Sequence, residues 1–280
     1  MASSIGTGNA ALLLLLSACC AVVTALACDP NDGGGAKFGY VGSVGPDHWG
    51  ALSPNFTRCA SGTSQSPIDI STAAAVVGPA LEPLRREYTV ANATLVDNVV
   101  NVALRFDDAG TAGSVSVGGK VYRLKQAHWH SPSEHTVDGR RFPVELHMVH
   151  ASDDGNVSVV AVLYRFGKPD PFVWQIQDKL GALYAEGCDA TEKKGIPTGD
   201  LSLWPLRLDS HAYYRYVGSF TTPPCTENVV WSVRDMSVDQ AAALMAPLEQ
   251  DYRRNNRPTQ PMNGRVVQFY RFTGNKKQAP

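Results

Sequence analysis

From near Phe38 onward the chain shows short apolar or alternating runs, broken by Gly, Pro, Asn and Asp. Alternation with a period of two places every second side chain on the same face of an extended strand. On that pattern strands are predicted at Thr94–Phe106, Ser114–Val117, Lys120–His130, Val144–His150, Val157–Arg165, Tyr213–Ser219, Val229–Val233 and Val266–Phe272. Their connections carry turn chemistry, as in Asp107-Asp-Ala-Gly110, Val117-Gly-Gly-Lys120 and Asp153-Asp-Gly155. Helical periodicity is scarce. Pro171–Leu183, with Pro at its start, and Val238–Arg254, rich in Ala and Leu, are the two helix predictions. No repeat and no compositional break interrupts residues 38–272, so this span is expected to form one β-rich domain, followed by a tail at 273–280.

The first 27 residues are a different kind of object. They hold no Asp, Glu, Lys or Arg, contain the run Ala11-Leu-Leu-Leu-Leu-Leu16, and end Ala25-Leu26-Ala27 before Cys28. A short apolar core with a small-residue exit reads as a secretory signal peptide. The alternative is a membrane anchor, but residues 11–27 barely reach the roughly 17–25 residues that span a bilayer, and no basic cluster follows. A flexible segment, residues 28–37 with Gly33-Gly34-Gly35, leads into the domain near Phe38.

Composition narrows the partners. The 280 residues are 44% hydrophobic and 18% charged, enough for a packed core and unlike a disordered chain. Lys and Arg number 25 against 26 Asp and Glu, so the basic excess that tracks nucleic-acid phosphates or anionic lipid is missing. No nucleic acid is expected as a partner, no membrane contact once the signal peptide is removed, and no obligatory protein partner. Removing the leader also removes Cys19 and Cys20, which leaves Cys28, Cys59, Cys188 and Cys225. Their wide spacing makes no C-x-x-C metal knuckle, so disulfides are the default in an oxidising compartment, and three pairings are open. Three N-x-[ST] sequons, at Asn55, Asn92 and Asn156, are candidate glycosylation sites and fit the same secretory picture.

Candidate chemistry gathers in the histidines. Of seven in the chain, His128, His130, His135, His147 and His150 fall within one short stretch. His128 and His130 sit at i and i+2 of a predicted strand and so share a face, as do Glu145 and His147 in the next one. If those strands are neighbours, His128, His130 and His147 form a three-nitrogen site. Three neutral imidazoles with one open position are the ligand set of a catalytic zinc, whose bound water ionises near neutral pH. His48, His135, His150 and His211 have no such geometry and read as structural hydrogen-bonders.

The motif Gln126-Ala-His128-Trp-His130-Ser-Pro-Ser-Glu134-His135-Thr-Val-Asp, followed by Glu145-Leu-His147-Met-Val149-His150, resembles the metal-site signature of α-class carbonic anhydrases. The likeness continues in Gly218-Ser-Phe220-Thr221-Thr222-Pro-Pro-Cys225-Thr-Glu and Trp231. Upstream it includes Gly45-Pro-Asp-His48-Trp49 and Gln65-Ser-Pro-Ile-Asp-Ile70, and downstream Asn255-Asn-Arg257-Pro258-Thr-Gln260-Pro261. It covers about residues 38–272 in one order, and the Ser-Pro-Ser-Glu variant with Tyr-Tyr-Arg-Tyr is similar to the plant branch.

The resemblance implies a mostly β, single-domain fold with a large, mostly antiparallel twisted sheet of about ten strands and peripheral helices. It implies Zn2+ on His128, His130 and His147, and Gln126, Glu145 and the backbone of Asn255 as hydrogen-bond partners behind the three rings. Thr221 would orient the attacking oxygen while passing its own hydroxyl proton to Glu134, with Thr222 at the same mouth. Val149, Val159, Phe220, Val229 and Trp231 match the carbon dioxide pocket, although core packing accounts for the valines equally well from sequence. Cys59 and Cys225 match a disulfide of secreted members, which leaves Cys28 and Cys188. The implied activity is reversible hydration of carbon dioxide to bicarbonate and a proton.

One position departs from the family. Fast members carry a proton-shuttling His upstream of the first ligand, and counting back from Phe106 puts Val100 at that place. Valine cannot carry a proton, so an active but slowed, buffer-dependent enzyme is expected. The competing reading is a carbonic-anhydrase-like storage or binding protein with little turnover. A generic zinc hydrolase fits less well, because Glu134 does not stand in a H-E-x-x-H site. Expected destinations are the apoplast, or a vacuole or plastid reached through the secretory route.

Overall fold

The structure is a computed structural model that describes residues 38–106, 111–186, 195–207, 212–237, 244, 247–248 and 250–271. The signal-peptide, linker and tail expectations, with Cys28, Cys188, His211 and most of the predicted helix Val238–Arg254, lie outside those residues.

In chain order the strands are β1 (Asp69–Ile70), β2 (Val76–Val77), β3 (Arg85–Tyr88), β4 (Val90–Asp97), β5 (Val102–Phe106), β6 (Gly113–Val117), β7 (Lys120–His130), β8 (Thr136–Val137), β9 (Arg140–Arg141), β10 (Val144–Ala151) and β11 (Val157–Arg165). They are followed by β12 (Ile196–Ser202), β13 (Ala212–Ser219), β14 (Glu227–Ser237) and β15 (Gln268–Arg271). The helices are short: α1 (Trp49–Leu52), α2 (Arg58–Ser61), α3 (Pro171–Trp174) and α4 (Gln177–Glu186). Among the described residues twelve strands make one sheet, in the order β12-β4-β5-β7-β10-β11-β14-β13-β15-β2, with β6 alongside the first half of β7 and β3 beyond β6. Within it β11–β14 and β15–β2 run parallel and the remaining pairs antiparallel. A separate three-stranded sheet joins β1, β8 and β9.

Both faces of the large sheet are covered. One packs on a core that includes Trp129, Leu146, Met148, Val160, Val162 and Phe172; the other carries a smaller cluster around Val159, Tyr216, Val229 and Trp231. Central β11 is therefore buried on both sides, which explains the apolar run Val159–Tyr164 within it. Strand β7 contains a further device. His150 pairs with Leu124 but Val149 with Gln126, so Lys125 is an extra residue, a β-bulge that reverses which side chains face the large core. Before it Tyr122 and Leu124 point to that core; after it Ala127 and Trp129 do, and His128 and His130 take the other face.

Several predicted elements are corrected. Thr94–Phe106 is two antiparallel strands, β4 and β5, separated by a turn at residues 98–101. Asp97 Oδ1 accepts from Val99 N–H at 2.7 Å and Asn98 N–H donates to the Asn101 carbonyl at 2.9 Å, an Asp-led turn hidden inside an apolar run. Pro171–Leu183 is likewise two helices, α3 and α4, the first capped by Asp170 Oδ1 accepting from Phe172 N–H at 2.6 Å. The described end of the Val238–Arg254 helix is a single 3-10 turn at Gln250–Tyr252. Val229–Val233 extends to Glu227–Ser237, whereas Val266–Phe272 shrinks to Gln268–Arg271. Among the described residues the sheet holds twelve strands, where the resemblance implied about ten; β3 and β12, rich in charge, Gly and Pro, carry no clean alternation and were not predicted from the pattern.

Candidate metal centre

Pairing between β7 and β10 sets His128 directly opposite His147 and His130 opposite Glu145. The three histidine rings then meet, with centroids 5.0 Å apart for His128–His130 and His128–His147 and 4.6 Å for His130–His147. One ring nitrogen of each lies within 4.8 Å of the others, a group able to hold a metal ion.

The opposite nitrogen of every ring is engaged. His128 Nδ1 is 2.8 Å from Gln126 Oε1, His130 Nδ1 donates to the carbonyl of Asn255 at 2.6 Å, and His147 Nε2 donates to Glu145 Oε1 at 2.7 Å. Acceptors in those places hold a proton on the outer nitrogen and leave the inner one, Nε2 of His128 and His130 and Nδ1 of His147, with a lone pair. Burial lowers the pKa of all three rings, His130 to about 4, which keeps them neutral as metal ligands must be. His130 Nε2 and Glu134 Oε2, 3.5 Å apart, are buried and have no hydrogen-bond partner among the described residues. Three inward lone pairs, the one on His130 Nε2 being also an orphaned buried atom, fit a divalent cation bound by nitrogen, of which zinc is the usual one.

Glu145 is the hub behind the site. Its Oε1 serves His147 and, at 2.6 Å, His135 Nδ1; its Oε2 accepts from the backbone N–H groups of Glu134 and His135 at 2.8 Å each. Burial works against its ionisation, but His135, His147 and these hydrogen bonds outweigh it and hold the carboxyl well below its usual value. The chain of contacts continues through His135 Nε2 to Tyr216 Oη at 2.6 Å and on to Ser66 Oγ at 2.8 Å. Glu134 differs. Its Oε1 accepts from Arg257 N–H at 2.8 Å, and burial raises it to about 7, with Glu145 pushing the same way and His147, Arg257 N–H and the Thr221 hydroxyl pulling it down.

Thr221 is buried on the loop after β13, and Thr222 is half-buried beside it. That loop is closed by Phe220 N–H to the Thr226 carbonyl and Cys225 N–H to the Thr222 carbonyl, both 2.9 Å, and stapled to α2 by the disulfide Cys59–Cys225. Val159, Val229 and Trp231 are buried in the cluster beside the histidines, and half-buried Val149 and Phe220 pack on it. Trp231 lies 4.8 Å, ring to ring, from His147.

With this geometry in view, comparison with known proteins is decisive. The family model described as eukaryotic-type carbonic anhydrase matches residues 44–271. The chain is 41% identical over 231 residues to alpha carbonic anhydrase 7 of Arabidopsis thaliana, covering 81% of this chain and 82% of that protein. The chain belongs to the α-class carbonic anhydrase family. It is also 38% identical over 231 residues to dioscorin DB3L of Dioscorea polystachya, covering 81% and 82% of the two chains. Among solved structures, dioscorin complexed with ascorbate superposes with a TM-score of 0.79 at 36% identity, covering 85% of this chain and all of that one.

Sequence reasoning had assigned no role to Arg257, Tyr216 or Ser66. Arg257 is buried, donates to Gln65 Oε1 (2.9 Å) and to the carbonyls of Ser66 (2.8 Å) and Cys59 (2.9 Å), and so ties the Glu134 side of the site to the N-terminal segment. Its presence in the Asn255-Asn-Arg257-Pro258 motif was the only available signal, and a lone Arg carries no geometry. His135 and His150 are buried hydrogen-bonders, and His48 is exposed.

Proposed function

We propose that this chain catalyses the reversible hydration of carbon dioxide to bicarbonate and a proton, with zinc held by His128 Nε2, His130 Nε2 and His147 Nδ1. The observation that carries the reading is the set of three inward nitrogens, each backed on its far side by an acceptor. Zinc held there would supply a water ionised near neutral pH, about 7, as the nucleophile.

The remaining work belongs to the chain. Thr221 accepts a hydrogen bond from the attacking oxygen and gives its own to Glu134, which leaves a lone pair directed at the carbon. Glu134 is fixed for this by Arg257 N–H. Val149, Val159, Phe220, Val229 and Trp231 offer carbon dioxide an apolar wall, and Thr222 stands at its edge. The released proton must reach bulk buffer. Val100, half-buried in the 98–101 turn and packed on the large apolar core, cannot relay it. Turnover is therefore limited by proton transfer to external buffer.

The leader, the Cys59–Cys225 disulfide and the exposed sequons at Asn55, Asn92 and Asn156 support passage through an oxidising secretory compartment, with glycans on those residues. A second reading, a storage or binding protein with little turnover, is favoured by Val100 and by the likeness to dioscorins.

Stopped-flow carbon dioxide hydration on purified protein of measured zinc content, at low and then high imidazole, separates these readings. One zinc per chain and a rate that climbs with imidazole are expected. Stoichiometric zinc with no rate above background at any buffer concentration overturns the enzymatic reading in favour of the second one.

A further inference from the structure

On the sheet face opposite the histidines, β13 directs Arg215 away from the metal centre. Its neighbour Tyr216 reaches His135, and successive residues of an extended strand point to opposite faces. There Arg215 lines a cleft of about 460 Å3 together with Glu82 and Arg85, and with Ser116, Gly118 and Gly119 of the β6–β7 hairpin. That volume lies in the range of small-molecule sites, roughly 300–1,000 Å3.

Arg215 is a half-buried cation that forms no ion pair among the described residues, although Glu82 lines the same cleft. Its guanidinium sits 5.0 Å over the Tyr213 ring and donates from Nη2 to Ser232 Oγ at 3.3 Å, while Nε is buried and finds no acceptor among the described residues. Among the same residues neither Arg215 nor Arg85 forms an ion pair. Burial accordingly lowers the Arg215 pKa, because the surroundings disfavour its charge. Taking a cation out of water without an ion pair is costly, and an oxyanion arriving at the buried Nε would relieve that cost.

The cleft is held in shape before any ligand arrives. Tyr213 Oη donates to the Glu82 carbonyl at 2.6 Å, pinning the segment ahead of β3, and Arg85 is paired opposite Ser116 across β3 and β6. Gly118 and Gly119, with φ of 56° and 77°, have open space where a Cβ would stand, so the rim is unobstructed.

We propose that this cleft binds a small hydroxylated organic anion, its single oxyanion head gripped by Arg215 and Arg85 and its hydroxyls by Ser116 and Glu82. Guanidinium forks match the paired oxygens of a carboxylate or phosphate. Glu82 accepts from hydroxyls and repels a second negative charge, which selects a neutral, hydroxyl-bearing body. The site is separate from the catalytic reading and stands or falls without it.

Isothermal titration of the zinc-loaded protein with gluconate as the carboxylate probe and glucose 6-phosphate as the phosphate probe tests the proposal. Saturable binding is expected that weakens at least about tenfold in both Arg85→Ala and Arg215→Gln and is unchanged in His128→Ala. Preference for one probe assigns the head group. No saturable heat with either probe up to about 10 mM overturns the proposal, as does binding lost in His128→Ala and kept in Arg85→Ala. Arg85 is exposed, so that variant reports on the cleft even if Arg215→Gln fails to fold.

Discussion

The Nδ1–H of His130 donates to the backbone carbonyl of Asn255 at 2.6 Å, across 125 positions of sequence. That carbonyl is itself held in place. The Asn255 side chain accepts from Ser131 N–H at 2.8 Å through Oδ1 and donates through Nδ2 to the carbonyls of Val100 (2.8 Å) and Trp129 (3.3 Å). A polypeptide oxygen thus fixes the tautomer of one candidate ligand, and a buried amide fixes the oxygen.

Asn255→Ala keeps the carbonyl and the backbone N–H bond to Ser131 but removes the three side-chain anchors. Zinc affinity, read by competition with a chelator, is expected to fall by about 10–100-fold, the usual scale for loss of a partner behind a metal ligand. Denaturant unfolding is expected to show a loss of about 1–3 kcal/mol from the buried groups left unpaired. Unchanged affinity would mean that the carbonyl needs no support.

Thr221→Ala removes the hydroxyl between the attacking oxygen and Glu134. A drop of roughly 10²–10³ in kcat/KM for carbon dioxide is expected at unchanged zinc content, as for loss of one preorganised hydrogen-bonding group. Thr221→Ser restores the hydroxyl and is expected to recover most of the rate. Equal rates in the two variants would show that Thr221 serves only packing.

The Cys59–Cys225 bridge joins positions 166 apart and clamps the Thr221–Thr222 loop to α2. Replacing both cysteines with Ser is expected to cost about 2–4 kcal/mol in equilibrium unfolding. Because the bridge closes so long a loop, much of the effect arises in the unfolded chain, so zinc content at neutral pH is expected to hold.

Buried His150 is a source of acid sensitivity apart from the three site rings. Its Nδ1–H faces the Ser158 carbonyl at 3.2 Å, and its Nε2 accepts from Tyr88 Oη at 2.9 Å. Burial lowers its pKa to about 4, helped by Arg86 and opposed by the backbone carbonyls of Ser158 and Met148. The unfolded chain takes up this proton near pH 6.5 and the folded chain near 4. The stability involved is therefore intact above about pH 6.5, declines as pH falls toward 4 and is lost below, on the order of 3 kcal/mol in all. Unfolding of the parent and His150→Gln at pH 7 and pH 4.5 checks this. The variant is expected to lose less on acidification, and equal losses would place the sensitivity elsewhere.

The strands that form the site were legible because their signal is local. Lys120–His130 and Val157–Arg165 coincide in sequence pattern and in structure, since both are long, β-branched or alternating runs with clear ends. The Asp97–Val102 turn was not read from the sequence: Val99 and Val100 at its centre continue the apolar run, while Asp97, capping Val99 N–H, and the bonded pair Asn98 and Asn101 bend the chain there. Val99 accordingly takes φ 70°, an unusual conformation for a β-branched residue that no propensity would assign. Strands β3 and β12 were missed for the opposite reason, because edge positions tolerate charge, Gly and Pro.

The sequence by itself determined that His128 and His130 share a face and that Glu145 and His147 share another, because a strand's period of two is fixed by covalent geometry. It also supplied the ordered motifs that mark the family. Only the tertiary structure decided that His128 stands opposite His147, that Lys125 bulges so that His128 and His130 both leave the large core, and that Asn255, Arg257 and Tyr216 close around them. Register and strand order are settled by burying both faces of a twelve-stranded sheet at once, a condition on the whole chain that no local window contains.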